Sequence, residues 1–283
     1  MHGLDVASIP SWLRTGVESE RRDEVLKLGL ITGLREKKGR FYTPNFERGL
    51  ILDRLCEILR PKSVLEIGTG RGMGSLVVAN ASLKYGFPCS VKSLDMISVQ
   101  QKQTYAIEID GHRSVIAESV ANVWNTYVPS DIRERVDFVV GSTSSILPQM
   151  VRQGTSFDLI FIDAGHDAFS VANDLSYASM LLRKDGAILM DDFTPHDFVG
   201  VATCLIFAHC KRLFETCIAF QSDGIVYGPT PEEYAHGMVI LQHLRGRLTI
   251  HPNRLWRWKL LRWVLNQCNA VSAFPISITS TQD

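Results

Sequence analysis

The segment "FDLIFIDAGHD", residues 157–167, ends an apolar run in Asp163, His166 and Asp167. Three ionisable side chains beside a glycine are more than a loop needs for solubility. A carboxylate can hold a cation or orient a donor, and an imidazole titrates near neutrality and can take a proton from a hydroxyl. A second apolar run, "GAILMDD" at 186–192, ends in Asp191 and Asp192. A third, "SVLEIGTGRGMGS" at 63–75, runs into glycines at 68, 70, 72 and 74. Such a loop turns sharply and lets a ligand approach the backbone, with helix N–H groups behind it. Glu66, at the end of that strand, is placed to meet a cationic ligand.

These runs need a scaffold that brings their ends together. From residue 63 onward, apolar strands alternate with helix-length segments. Strands are expected at 63–68, 90–96, 136–141, 157–163 and 186–192, with helices near 73–85, 113–126, 143–152 and 168–182. Strands apolar throughout are those covered on both faces, and repeated β-α-β order predicts an α/β fold with an open, doubly wound, mostly parallel sheet. A helix near 196–211 and strands near 215–221 and 237–242 bring the sheet to seven strands. Pro44 opens a helix over 44–60. We divide the chain into an N-terminal cap (1–43), the sheet domain (44–245) and a helical C-terminal extension (246–283). In a doubly wound sheet the carboxyl ends of the strands line the ligand crevice.

The glycine spacing narrows the ligand. A dinucleotide fingerprint G-x-G-x-x-G fails at Met73 when counted from Gly68 and at Ser75 when counted from Gly70. There is no G-K-[ST] ending of a phosphate-binding loop either, so a dehydrogenase or nucleotide hydrolase is disfavoured. "VLEIGTGRGMGS" resembles motif I of the class I S-adenosylmethionine-dependent methyltransferases, over roughly residues 44–242 of the chain. Asp95, at the end of the second strand, matches the acid that holds both ribose hydroxyls in that family. "VVGSTSSILP" (139–148) matches its third strand and adenine-side loop. The resemblance implies cofactor contacts at Glu66, Gly68, Thr69, Gly70, Gly72, Ser75, Asp95, Met96, Gly141, Ser142 and Asp163. Many relatives carry an acid where this chain has Ser142.

The strand-end acids resemble those of the catechol-type and macrolide-sugar metal-dependent O-methyltransferases. That likeness implies neighbouring strands four and five, a divalent ion held by Asp163, Asp191 and Asp192, and His166 as the catalytic base. Oxygen-only ligation in an open site suits Mg²⁺. A metal-bound hydroxyl loses its proton more readily, and an aligned methyl sulfonium is then attacked by oxygen. The expected activity is therefore O-methylation of a small molecule such as a phenol or sugar. His196, in "DDFTPHD", is a second candidate base. Three alternatives stay open: Asp163 or Asp167 as a helix cap, a metal-independent N- or C-methyltransferase, and a domain that binds cofactor without catalysis.

Composition sets outer limits. Thirty basic and thirty acidic residues cancel, which disfavours a nucleic-acid partner. Six cysteines show no C-x-x-C pair and read as buried thiols in a reducing compartment. No leader and no membrane-length apolar run is visible, so we expect a cytoplasmic protein, assembled as a homodimer. The stretch "NRLWRWKLLRWVLNQ" (253–267) has an apolar stripe at helical spacing and is read as a packing surface rather than a membrane or nucleic-acid contact. "GLREKKGRFYTP" (33–44) is a basic loop and a candidate closing segment.

Overall fold

The computed structural model describes residues 6–8, 19–42, 47–165, 167–191, 214–221 and 237–244. In chain order these form β1 (Val6–Ser8), α1 (Ser19–Thr32), β2 (Arg35–Lys37), β3 (Arg40–Tyr42), α2 (Glu47–Leu59), β4 (Ser63–Ile67) and α3 (Met73–Lys84). Next come β5 (Ser90–Asp95), β6 (Lys102–Ile109), β7 (His112–Ser119), α4 (Val120–Tyr127), α5 (Ser130–Arg133), β8 (Val136–Val140) and α6 (Thr143–Arg152). The series closes with β9 (Phe157–Ile162), α7 (Ala168–Leu181), β10 (Leu182–Met190), β11 (Phe214–Gln221) and β12 (Gly237–Leu244).

One sheet organises the molecule, in the order β1-β11-β12-β10-β9-β4-β5-β8. Only β12 runs antiparallel to its neighbours. The expected doubly wound, mostly parallel sheet is therefore present, with eight strands among the described residues instead of seven. The extra strand comes from the N-terminal segment: Val6–Ser8 pairs in parallel with Ala219–Gln221 and covers the edge of β11. Unpaired edge N–H and C=O groups invite such a strand.

Successive residues of the central strands face two separate cores. Val64, Leu159, Phe161 and Leu189 pack with α1, α2 and α3 on one face. Leu65, Ile160, Ile162 and Ile188 pack with α6 and α7 on the other. Strands apolar at every position follow from this, because each side chain leaves water whichever way it points. Burying each such Leu, Ile or Phe stabilises the fold by roughly 1.5–3 kcal/mol. Cys56 and Cys89 lie in the first core as free thiols, as read from the sequence, and burial pushes the Cys89 thiol up to about 12.

Two sequence expectations need correction. The helix placed near 113–126 begins at Val120, because His112–Ser119 is the second strand of a hairpin with Lys102–Ile109. Asp110 and Gly111 turn it with φ of 49° and 79°. A two-residue Asp-Gly turn with both φ positive matches the twist of a hairpin. The basic loop 33–44 contains a second small hairpin, β2–β3. The expected helix near 196–211, the C-terminal extension 246–283 and its tryptophan stretch lie outside the described residues.

Candidate active site

Strand β4 lies between β5 and β9, so the chain leaves β4 and β9 toward opposite faces and opens a crevice at their carboxyl ends. The glycine loop sits there. Gly68 has φ 94°, and a Cβ on it would stand 1.9 Å from the Asp163 carbonyl oxygen. Only glycine satisfies both the left-handed backbone and that approach. The Asp163 N–H donates to the Ile67 carbonyl at 2.9 Å, and the Gly68 N–H to the Leu94 carbonyl at 2.9 Å. The loop is thereby fixed to both neighbouring strands.

Beneath the loop runs a buried polar network. Glu66 Oε2 accepts from the Ser75 hydroxyl and, at 2.5 Å, from the Ser93 hydroxyl. Thr69 Oγ1 and Ser93 Oγ are 2.7 Å apart. Glu66, Thr69, Ser75 and Ser93 are all buried. These side chains of Glu66, Thr69 and Ser75 form one hydrogen-bonded layer beneath the loop. Burial, more than the two hydroxyl donors can offset, pushes Glu66 up to about 7; Asp163 nearby raises it and Arg48 lowers it.

At the mouth, the Asp95 carboxylate accepts the Gly70 N–H and the Ile97 N–H, each at 2.9 Å. Around it Met96 is 74% exposed, Ile97 46% and Val140 51%, an apolar rim at the ends of β5 and β8. The Gly141 N–H is tied to the Asp95 carbonyl at 2.8 Å, and Ser142 is the residue before α6. A carboxylate beside exposed apolar side chains suits a ribose carrying an aromatic base. Gly68, Gly70, Asp95, Met96, Gly141 and Ser142 are thus brought to one crevice. Gly72 closes the loop, where a Cβ would meet the Trp124 ring at 1.9 Å. The Trp124 indole N–H donates to the Arg71 carbonyl at 3.1 Å.

The sequence predicts strand-end aspartates side by side, and Asp163 and Asp191 do meet. The group between them is a guanidinium. Arg48 Nη1 lies 2.6 Å from Asp163 Oδ2 and 2.9 Å from Asp191 Oδ2. The Asp191 side chain is 3% exposed, and its Oδ1 is buried with no hydrogen-bond partner among the described residues. Arg48 was not singled out in the sequence, since it looks like one basic residue at the start of a helix. Its position there is unusual in one respect: a cation near a helix N-terminus opposes the helix dipole by about 0.3–1 kcal/mol. Gly49 explains how it reaches the site. A Cβ there would come within 2.6 Å of Val25 and 3.0 Å of Met73, so glycine lets the first turn of α2 press between α1 and α3.

The expected Mg²⁺ set of Asp163, Asp191 and Asp192 does not fit this arrangement. Among the described residues, no group of three or more His, Cys, Asp or Glu side chains could hold a metal ion. Asp192 lies outside the described residues. With Mg²⁺–oxygen distances near ~2.1 Å, an ion on the same two carboxylate oxygens would lie within about 5 Å of Nη1. A +1 and a +2 charge at that range repel by roughly 7 kcal/mol at an effective dielectric of about 20. One cation fills the gap, and it belongs to the chain.

His166 and His196 also lie outside the described residues. Asp167 takes the capping role weighed above: it accepts from the Ser170 N–H at 3.2 Å and the Ser170 hydroxyl at 2.6 Å at the start of α7. Asp163 is left to the strand-end cluster.

Comparison with known proteins agrees with this geometry. Residues 65–193 match the model of a family described as "Methyltransferase domain". That stretch of the chain is similar to a methyltransferase domain. The matched span runs from β4 past the Asp191 end of β10, and so covers the glycine loop, Asp95 and the strand-end acids. Catechol O-methyltransferase B of Danio rerio is 27% identical over 173 residues, 60% of this chain and 56% of that protein. The chain thus spans little more than half the length of that curated relative. The O-methyltransferase TomG of Streptomyces achromogenes, solved with S-adenosylmethionine, superposes on this chain with a TM-score of 0.52. It is 17% identical and covers 80% of this chain and 90% of its own. An O-methyltransferase of Bacillus cereus in complex with SAH gives 0.50 at 19% identity, over 81% and 93%. At such identities these structures establish the shared fold alone.

Proposed function

We propose that this chain transfers a methyl group from S-adenosylmethionine to a hydroxyl of a small molecule. The observation that carries the reading is the crevice itself: the Gly68–Gly72 loop, the Asp95 carboxylate and the apolar rim of Met96, Ile97 and Val140 converge beside the Asp163–Arg48–Asp191 cluster. The methyltransferase domain match and the catechol O-methyltransferase relative support it.

In this reaction the acceptor oxygen attacks the methyl carbon, the carbon–sulfur bond breaks, and the sulfonium becomes the thioether of S-adenosylhomocysteine. The hydroxyl proton passes to a base. His166, three residues after Asp163, is the base we assign, by its spacing and the titration range of imidazole. The protein's main contribution is alignment, since holding the nucleophile and methyl in line replaces a costly encounter in solution. Fixed charges of the Arg48 cluster at the strand ends supply the electrostatic part. No step here is routed through Mg²⁺, since Arg48 Nη1 bridges the Asp163 and Asp191 carboxylates.

The test is transfer of labelled methyl from S-adenosylmethionine to a panel of phenols, catechols and sugars, with S-adenosylhomocysteine measured alongside. Label on an oxygen, in one-to-one yield with S-adenosylhomocysteine and reduced at least about tenfold by His166→Ala, is the expected result. Label found only on nitrogen or carbon acceptors would refute the hydroxyl assignment.

A further inference from the structure

We infer that Arg48 is the resident cation of the strand-end site, standing where a divalent ion would otherwise bind, and that the protein as it exists takes no divalent ion there. Three observations lead to this. A single nitrogen, Nη1, bridges both carboxylates at 2.6 and 2.9 Å, so the two oxygens that would face an ion are already engaged and one of the two negative charges is offset. Arg48 is held by backbone packing, because Gly49 beside it seats against Val25 and Met73 with no room for a Cβ. The Asp191 carboxylate is almost wholly buried, with Oδ1 lacking a donor among the described residues.

The inference concerns the cation and does not depend on which atom is methylated. It makes a reciprocal prediction: taking the guanidinium away uncovers a two-carboxylate site that a hard divalent ion fills. Mn²⁺ is the probe, followed by electron paramagnetic resonance and calorimetry on the full chain after dialysis against chelator. The expected result is no saturable Mn²⁺ binding by the wild-type chain across the millimolar range, and saturable binding by Arg48→Met with a midpoint at least about tenfold below the highest concentration tried on wild type. Arg48→Lys, which keeps one positive charge, should behave as wild type. Thermal unfolding of the same samples adds a second readout, since bound Mn²⁺ raises the midpoint of Arg48→Met but not of wild type.

Saturable Mn²⁺ binding by wild type that is lost in Asp163→Asn would overturn the inference, and this arm needs no Arg48 variant to fold. Folded Arg48→Met that binds Mn²⁺ no better than wild type would overturn it as well, because the carboxylates would then not form a cation site at all.

Discussion

Individual side chains decide how this crevice works. Gly68 is the tightest of them. Gly68→Ala adds a methyl 1.9 Å from the Asp163 carbonyl on a backbone at φ 94°, so β4 and β9 must part. We expect a loss of at least about 2 kcal/mol in urea unfolding. Glu66 gives a pH signature. Its carboxyl titrates near 4.5 unfolded and about 7 folded, chiefly because burial disfavours the anion. Between those values the folded chain holds more protons than the unfolded one, so stability falls as pH rises through the window. Above about pH 7 the full cost, on the order of 3 kcal/mol, is present. Glu66→Gln should flatten that slope in denaturation midpoints measured across the window; an unchanged slope would place the titration elsewhere. The acids at 163 and 191 were legible in the sequence because each ends an apolar strand. Arg48 was not, since its partners lie 115 and 143 residues away and no local pattern marks such a pair.

Elements were more legible than contacts. Largely apolar runs gave β4, β5, β8, β9 and β10 within a residue or two at their carboxyl ends. The central strands β4 and β9 are buried at nearly every position, so few polar residues blur their limits. The hairpin β6–β7 was missed, although "IEIDGHRSVI" carries an Asp-Gly turn between alternating residues. Its second strand is mostly exposed, so no apolar-in, polar-out alternation marks it. Arg71 ties this hairpin to the glycine loop. Its guanidinium donates to the Ala106 carbonyl at 3.2 Å and the Leu34 carbonyl at 3.0 Å, and stacks 4.9 Å from the Tyr105 ring centre. Burial drives its pKa down to about 10, and the phenol of Tyr105 counters part of that shift. Arg71→Ala should free the hairpin while leaving the sheet intact. Hydrogen exchange would then rise across 102–119, with β4 and β9 protected as before. Uniform loss of protection would mean that Arg71 supports the whole fold.

For the molecule as a whole, one sheet with two cores carries the stability, and the crevice is where its topology reverses. Phe161 is nearly fully buried in the core that α3 shares. Phe161→Ala should cost about 3–5 kcal/mol and lower the thermal midpoint without moving the cofactor contacts. The edge strand β1 was not legible in advance, because a three-residue strand at the far edge has no periodicity to read. The strand-end aspartates were legible from topology, but the guanidinium that the first turn of α2 places between Asp163 and Asp191 was not, because strand patterns do not encode it. Among the described residues, no helix is long and apolar enough to cross a membrane.

The account rests on S-adenosylmethionine occupying the crevice between Gly68 and Asp95. Isothermal titration of the full chain with this cofactor tests that directly, with Asp95→Ala titrated beside it and folding checked by circular dichroism. We predict one site per chain, weakened at least about tenfold in Asp95→Ala, the loss expected when a ribose hydrogen bond to a charged acceptor goes. No binding heat at any accessible concentration, or equal affinity in wild type and Asp95→Ala, would contradict it.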